Sequence, residues 1–524
     1  WTAITSTNGI THTGRTLLAV SPDDTNVVYA VQASGSLFGR MYRSNDGGLN
    51  FITTVVGNPS NGTNYFGYET NGTGTTGQAT YDMAICVNPD NADEVHIAGI
   101  ICWKSTNGGT SFTAETAWSY PNSIGYNHAD VHALEWVGKT IYSGSDGGIY
   151  KSTNFGGDWT DLSAGLGIRQ FYRIACAKTD PNVITTGAQD NGSSFRRSSG
   201  SWVDWLGADG MDNVISPTNA AIAIGTSQYG SIYKTTNSGS SRTNLTKPSD
   251  GNWVTPLVMH PTNHDTIYGG WTGVWRSGNG GTSWTNLSPS ITVTLDVLAV
   301  APSNTRYIYT SKGATLYRTT DGGANWSSIT APASITSIFV SKNDPSKIWI
   351  SCNSSTNRVY VSTNRGDTFT NISTGLPSVS ARSVVVDEDA SGTIYVGMNI
   401  GVYYRDSITN TWAEHATGLP LVANNEVEIQ KSGNKLRVAT YGRGVWESEL
   451  QNIGSTCENP TGLNTSNITT NSATLSWNAV SGATGYKLDY KLSSSSIWTL
   501  LASNTGSTSY NLTGLSSNTS YDWR

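Results

Sequence analysis

Charge is scarce in this 524-residue sequence: Asp, Glu, Lys and Arg make up 13% of it, and the formal net charge is -6. There is no basic run, which argues against a nucleic-acid partner. No apolar stretch reaches the ~20 residues that a membrane-spanning helix requires. Cysteine is also sparse. Cys86, Cys102, Cys176, Cys352 and Cys457 match no zinc or redox spacing, and no cofactor is expected. Cys86 and Cys102 fall on successive expected strands, so a disulfide or two buried thiols would both fit. The sequence opens at Trp1 without an initiator Met, so export would imply a leader already removed.

Gly (57), Tyr (25) and Trp (18) are abundant, together with Thr, Ser and Asn. That mixture suits short strands and tight turns rather than helices. One short motif recurs: Ser44-Asn-Asp-Gly-Gly-Leu-Asn-Phe51, Ser105 to Phe112, Ser277 to Trp284 and Thr319 to Trp326. Looser copies run Ser152 to Trp159, Thr235 to Ser240, Ser362 to Phe369 and Arg405 to Trp412. A carbonyl oxygen of Asp or Asn can accept backbone N–H bonds across such a turn, while Gly supplies positive φ. Asp46, Asn107, Asn154, Asn279, Asp321 and Asn364 are therefore expected to be structural. Around each motif lie four strand-like segments. Ten such units begin near residues 14, 80, 128, 169, 211, 252, 292, 334, 378 and 421, a spacing that fits one four-stranded propeller blade each.

The motif resembles the Asp-box, or BNR repeat, of sialidases, sortilin-type receptors and xyloglucanase-type glycosidases. The resemblance implies an all-β fold: a single large, about ten-bladed propeller over residues 1–450, with the motifs on the rim. The last unit has three strands, and Trp1–Ile4 is expected to supply its fourth and close the ring; two smaller rings are the alternative. After a linker at 451–456, residues 457–524 resemble a fibronectin type III domain, with Trp477 in the core and Leu515 and Tyr521 at a tyrosine corner. Its last strand is expected to lie beyond Arg524, together with a partner for Cys457. This domain order resembles surface proteins exported by type IX secretion, which implies an outer-surface or secreted location and the export machinery as a partner. Asp265-Thr-Ile267 and Asp406-Ser-Ile408 also fit the O-glycosylation pattern of such bacteria.

Four segments depart from the bare repeat. In Asn127-His-Ala-Asp-Val-His132, alternation places His128, Asp130 and His132 on one strand face. The two histidines would stand about 13 Å apart, too far for one metal without a bulge, whereas His128 with Asp130, or Asp130 with His132, could hold one together with a distant ligand; the alternative is a buried hydrogen-bonded network. Ser145-Asp-Gly-Gly-Ile-Tyr150 reads as a blade-connecting turn. Gln189, Asp190 and Asn191, with Asp209, Asp212, Gln228 and Tyr229, form polar loops suited to a ring mouth. Arg443, between two glycines, either meets one of these carboxylates or serves a turn.

Three functions compete on this basis. A non-catalytic extracellular protein would recognise a glycan or a surface protein on its aromatic-rich face, and this is the reading preferred from sequence. A glycosidase would need two carboxylates across a cleft, drawn from Asp130, Asp190, Asp209 and Asp212. Against it, xyloglucanase-type enzymes resemble two seven-bladed rings, too many for this length, and Tyr172-Arg-Ile-Ala175 lacks the proline of the sialidase Arg-Ile-Pro element. A passive surface component is the third.

Overall fold

The computed structural model describes residues 3–11, 14–119, 124–388, 392–451, 459–480, 483 and 485–524. The fold is all-β, with short 3-10 turns as its helical segments among the described residues. Nine four-stranded antiparallel sheets and one three-stranded sheet follow one another, each a meander of consecutive strands. Their innermost strands start at Thr16, Ala84, Val131, Phe171, Asn213, Leu257, Val297, Ile335, Ala381 and Asn424. None of the helices is long and apolar enough to cross a membrane.

The motif acts as a clip on the hairpin between the third and fourth strands. Ser44 Oγ accepts from Gly48 N at 2.9 Å, and Asp46 Oδ1 accepts from Ser44 Oγ, Leu49 N and Asn50 N at 2.7, 3.0 and 2.9 Å. Gly47 and Gly48 sit at φ +74° and +86°, the region a Cβ disfavours. The same clip recurs at Asn107, Asn154, Asn279, Asp321 and Asn364, each accepting from the backbone N–H four residues on.

Ten blades are present, but they do not form one ring. The tenth blade packs on the fourth. Along its inner strand, Asn424–Gln430, side chains reach the backbone of the fourth blade. Asn425 Nδ2 donates to Phe171 O (2.9 Å), and Glu426 Oε2 accepts from Ile174 N (2.7 Å). Glu428 Oε2 accepts from Cys176 N (2.6 Å), and Gln430 Nε2 donates to Ala177 O (2.8 Å). Phe171, Ile174, Ala439 and Val445 share one apolar cluster across this seam. A central cavity of about 170 Å³ is lined by the inner strands of blades four to ten, from Arg173 through Asp212, Leu257, Val297, Ser337 and Arg382 to Glu426. Blades four to ten are therefore a closed seven-bladed ring. Blades one to three form a separate arc, with apolar clusters joining the first to the second and the second to the third.

This corrects the single ten-membered ring and its expected closure. Trp1 and Thr2 lie outside the described residues. Ile4 packs beside Val28, Tyr42 and Phe51 of the first blade, and Phe51 N donates to Asn8 O at 2.8 Å. The amino-terminal segment thus belongs to the arc. Among the described residues, no strand completes the tenth sheet, whose order ends at Val445–Glu449.

Residues beyond the ring fold as a sandwich of two three-stranded sheets around Leu475, Trp477, Leu488 and Leu512. Tyr521 Oη accepts from Ser516 N at 3.1 Å, closing the corner. Cys457 and the linker at 452–456 lie outside the described residues.

Cys86, Cys102, Cys176 and Cys352 are free thiols. Burial pushes Cys102 and Cys352 up to about 12, and Cys86 and Cys176 also well above the ordinary thiol. Thiolate is the reactive form. Iodoacetamide at pH 8 should therefore leave these four unmodified in the native chain and alkylate them in guanidinium, as read by peptide mass mapping. Rapid native labelling of Cys86 or Cys102 would contradict this burial.

Candidate functional site

The arc and the ring meet through their loops, and most of the singled-out polar residues gather there. His128 Nε2 lies 3.0 Å from Asp190 O, and Asn191 Nδ2 donates to Asp146 O at 2.9 Å. These two contacts bridge the third blade of the arc and the first blade of the ring. Asp130 and Asp190 occupy the left-handed region at φ +63° and +55°. Such backbone strain in non-glycine residues concentrates at functional positions.

Asp130, Asp146 and Asp190 each place one carboxylate oxygen within 4.8 Å of the other two. Asp130 Oδ1 accepts from Gln78 Nε2 at 2.7 Å. Asp146 Oδ1 faces His132 Nε2 at 2.9 Å, and its Oδ2 accepts from Tyr81 Oη at 2.8 Å. Asp82 lies behind Asp130, fully buried, with no donor group assigned to either oxygen among the described residues. Burial and the nearby Asp130 charge push Asp82 up to about 8. Asp190 is raised to about 7 by burial, then by the charges of Asp209, Asp146 and Asp130. Asp130 is raised by burial and by Asp146. Burial and a neighbouring negative charge both disfavour the ionised form of a carboxyl group.

On the ring side, Asp209 Oδ1 accepts from Asp190 N at 2.9 Å, and its Oδ2 accepts from Gln228 Nε2. Gln189 Oε1 accepts from Tyr172 Oη at 2.9 Å and from Tyr441 Oη. Trp253 Nε1 donates to Tyr172 Oη at 3.2 Å, and Tyr229 meets Trp253 edge-on at 5.3 Å. Tyr229 and Trp253 remain 53% and 38% exposed, leaving an aromatic wall beside the acids.

Two residues of the sequence set stand elsewhere. Asp212 lies in the seven-bladed ring's central cavity, where its oxygens accept from Asn213 N and Leu257 N at 2.8 Å each. Arg443 is exposed and donates to Gly442 O at 2.7 Å; among the described residues it pairs with no carboxylate. Conversely, Asp82, Tyr81 and Gln78 carry no motif that singles them out. Asp146 is misread from sequence: its turn joins the second and third strands of one blade, Thr140–Ser145 and Gly148–Ser152, rather than two blades. A bulge at His132 turns that side chain toward Asp146.

The central cavity has its own acid group. Burial lifts Glu426 and Asp212 above the ordinary carboxyl, with Arg173 opposing, and lifts Glu428 to about 7, with Asp212 adding to and Lys178 opposing the rise. A carboxyl with a raised folded pKa favours the folded state most below its unfolded pKa. That contribution is lost as pH rises from about 4.5, the ordinary Glu range, to about 7. Glu428→Gln keeps an acceptor for Cys176 N and removes the charge. It should raise the Tm at pH 8 by a few degrees and leave it unchanged at pH 4.5. An equal change at both pH values would refute a titrating Glu428.

A family model described as "Sortilin, neurotensin receptor 3" matches residues 272–412, and a fibronectin type III model matches residues 458–524. The chain is an Asp-box propeller protein with a fibronectin type III domain. A xyloglucanase of Hypocrea jecorina (strain QM6a) is 26% identical to this Asp-box propeller over 264 residues. The match covers 48% of this chain and 30% of the relative, so the chain spans under a third of that relative's length. Among solved structures, a GH74 enzyme of Niastella koreensis matches at 14% identity and TM-score 0.30, over 83% of this chain and 90% of its own. The extracellular domain of a one-component system from B. thetaiotaomicron matches at 11% identity and TM-score 0.42, over 95% of this propeller chain and 69% of its own.

Proposed function

We propose that the junction between arc and ring is the active site of a glycoside hydrolase acting on an extracellular polysaccharide. The observation that carries this reading is the acid group itself. Asp190 and Asp146 come from opposite sides of the junction, their carboxylate oxygens lie within 4.8 Å, and Asp190 is held protonated up to about pH 7. Glycosidic cleavage asks for one carboxylic acid to protonate the leaving oxygen and a second, ionised carboxylate to serve as base or nucleophile. Asp190 has the environment of the acid. Asp146, oriented by His132 and Tyr81, takes the second role. Tyr229 and Trp253 offer faces on which a sugar ring can stack.

The xyloglucanase relative favours hydrolysis over the purely recognitional role preferred from composition. The objection from length also loses force, because one ring and a three-blade arc already supply two walls of a cleft. Export by a type IX route, and placement on or outside the cell, belong to the same reading on the strength of domain order. The test is incubation of the purified chain with xyloglucan and other β-glucans, followed by assay of new reducing ends. Binding without any release of sugar would return the protein to the recognitional class.

A further inference from the structure

Four carboxylates crowd the floor of this cleft with little positive charge to balance them. Among the described residues, His132 is the one basic side chain in ion-pair range of the group, on Asp146 at 2.9 Å. The His128 ring is engaged by the backbone oxygens of Ala129 and Asp190. An ion with oxygen ligands at about 2.4 Å spans about 4.8 Å between opposite ligands. The oxygens of Asp130, Asp146 and Asp190 all fall within 4.8 Å of one another.

Asp82 supplies an independent sign. Its side chain is 0% exposed, no donor group among the described residues serves either oxygen, and the side chain that lies within hydrogen-bonding reach is another acid, Asp130. A buried acid that no protein donor reaches needs a proton or a cation to compensate it. We propose that the cleft floor is a divalent-cation site, with Asp130, Asp146 and Asp190 as direct ligands and Asp82 backing Asp130 from the buried side. The donors are all hard oxygens and both nearby imidazoles are occupied, which favours Ca2+ over zinc or copper. Irregular loop geometry also suits Ca2+ better than the strict octahedron of Mg2+.

This inference deepens the reading of the same cleft but does not depend on hydrolysis. A cation and a proton on Asp190 compete for the same oxygens, so Ca2+ would act as a brake on an acid catalyst. The experiment therefore reads binding alone. The full chain, stripped with EDTA and desalted, is titrated with CaCl2 by calorimetry, and with Tb3+ by luminescence excited through Tyr81. One saturable ion per chain is expected, with Kd at or below the millimolar range found for extracellular calcium modules. Asp130→Asn, which tolerates the left-handed backbone, should weaken binding at least about tenfold. Asp146→Asn should do the same. No saturable binding up to about 5 mM, or equal binding by wild type and both variants, would overturn the site. Absence of sugar release in the separate hydrolysis assay bears on the proposed function and leaves this result untouched.

Discussion

Under the proposed glycosidase reading, Asp190→Asn is expected to lower the rate of polysaccharide hydrolysis by about 10²–10⁴-fold, the usual contribution of a positioned general acid. The substitution is well suited to the question. Residue 190 sits at φ +55°, a conformation Asn adopts more readily than most residues, so the loop need not move. Its two framework contacts are made by the backbone: its N–H donates to Asp209 and its carbonyl oxygen faces His128. Neither changes in the variant. What changes is that the side chain can no longer deliver a proton. The control readouts are an unaltered melting curve and retained binding to the polysaccharide. Full activity in Asp190→Asn would remove Asp190 from the mechanism, and equal losses of binding and turnover would assign it a role in holding substrate. Asp209→Asn is a useful contrast, because Asp209 accepts from the Asp190 amide and from Gln228. It acts as a positioning residue, and its loss should fall on kcat with the profile of a displaced Asp190 loop.

The second large effect concerns the ring. Trp271→Ala should destabilise it by about 3–5 kcal/mol, the range for truncating a fully buried Trp. The indole is 0% exposed, packs edge-on against Trp284 at 4.8 Å, and donates from Nε1 to Gly230 O at 2.9 Å. Gly230 itself has room for no side chain there, since a Cβ would fall 2.3 Å from that nitrogen. Truncation therefore opens a cavity and also strands a buried carbonyl. In scanning calorimetry the ring transition should fall by roughly 10 °C, while unfolding of the carboxy-terminal sandwich stays in place. If both transitions shifted together, the ring and the sandwich would have to be one cooperative unit. Trp271→Phe, which refills much of the volume but not the hydrogen bond, should recover part of the loss.

What could be read from the sequence was what is written locally. The clip is complete within five residues, as Ser44, Asp46 and Gly48 illustrate, and so its copies announce the blades one by one. Ring size is not local. The contacts that set it join Ile174 to Glu426 and Cys176 to Glu428, 252 positions apart, and no spacing within a blade records which blade will be its distant neighbour. The mixed result at the cleft has the same origin. Asp190 and Asp209 stand in conspicuous loops, whereas Asp146 resembles an ordinary turn and Asp82 follows a plain Thr-Tyr pair. Asp209 and Asp212 lie three positions apart yet part company. The first turns to the mouth, while the second enters the strand beginning at Asn213 and points to the ring centre.

Among the described residues the tenth sheet has three strands, and the outermost, Val445–Glu449, is mostly exposed. An uncovered flank of this kind is a template for a foreign strand. Here Glu447 lies opposite Arg437 and Glu449 opposite Lys435, each as a cross-strand ion pair. A second molecule sliding alongside would have to strip water from two such pairs before any main-chain bond could form. Charge, rare in the rest of the sequence, is thus concentrated where it keeps one copy of the protein from zipping onto the next.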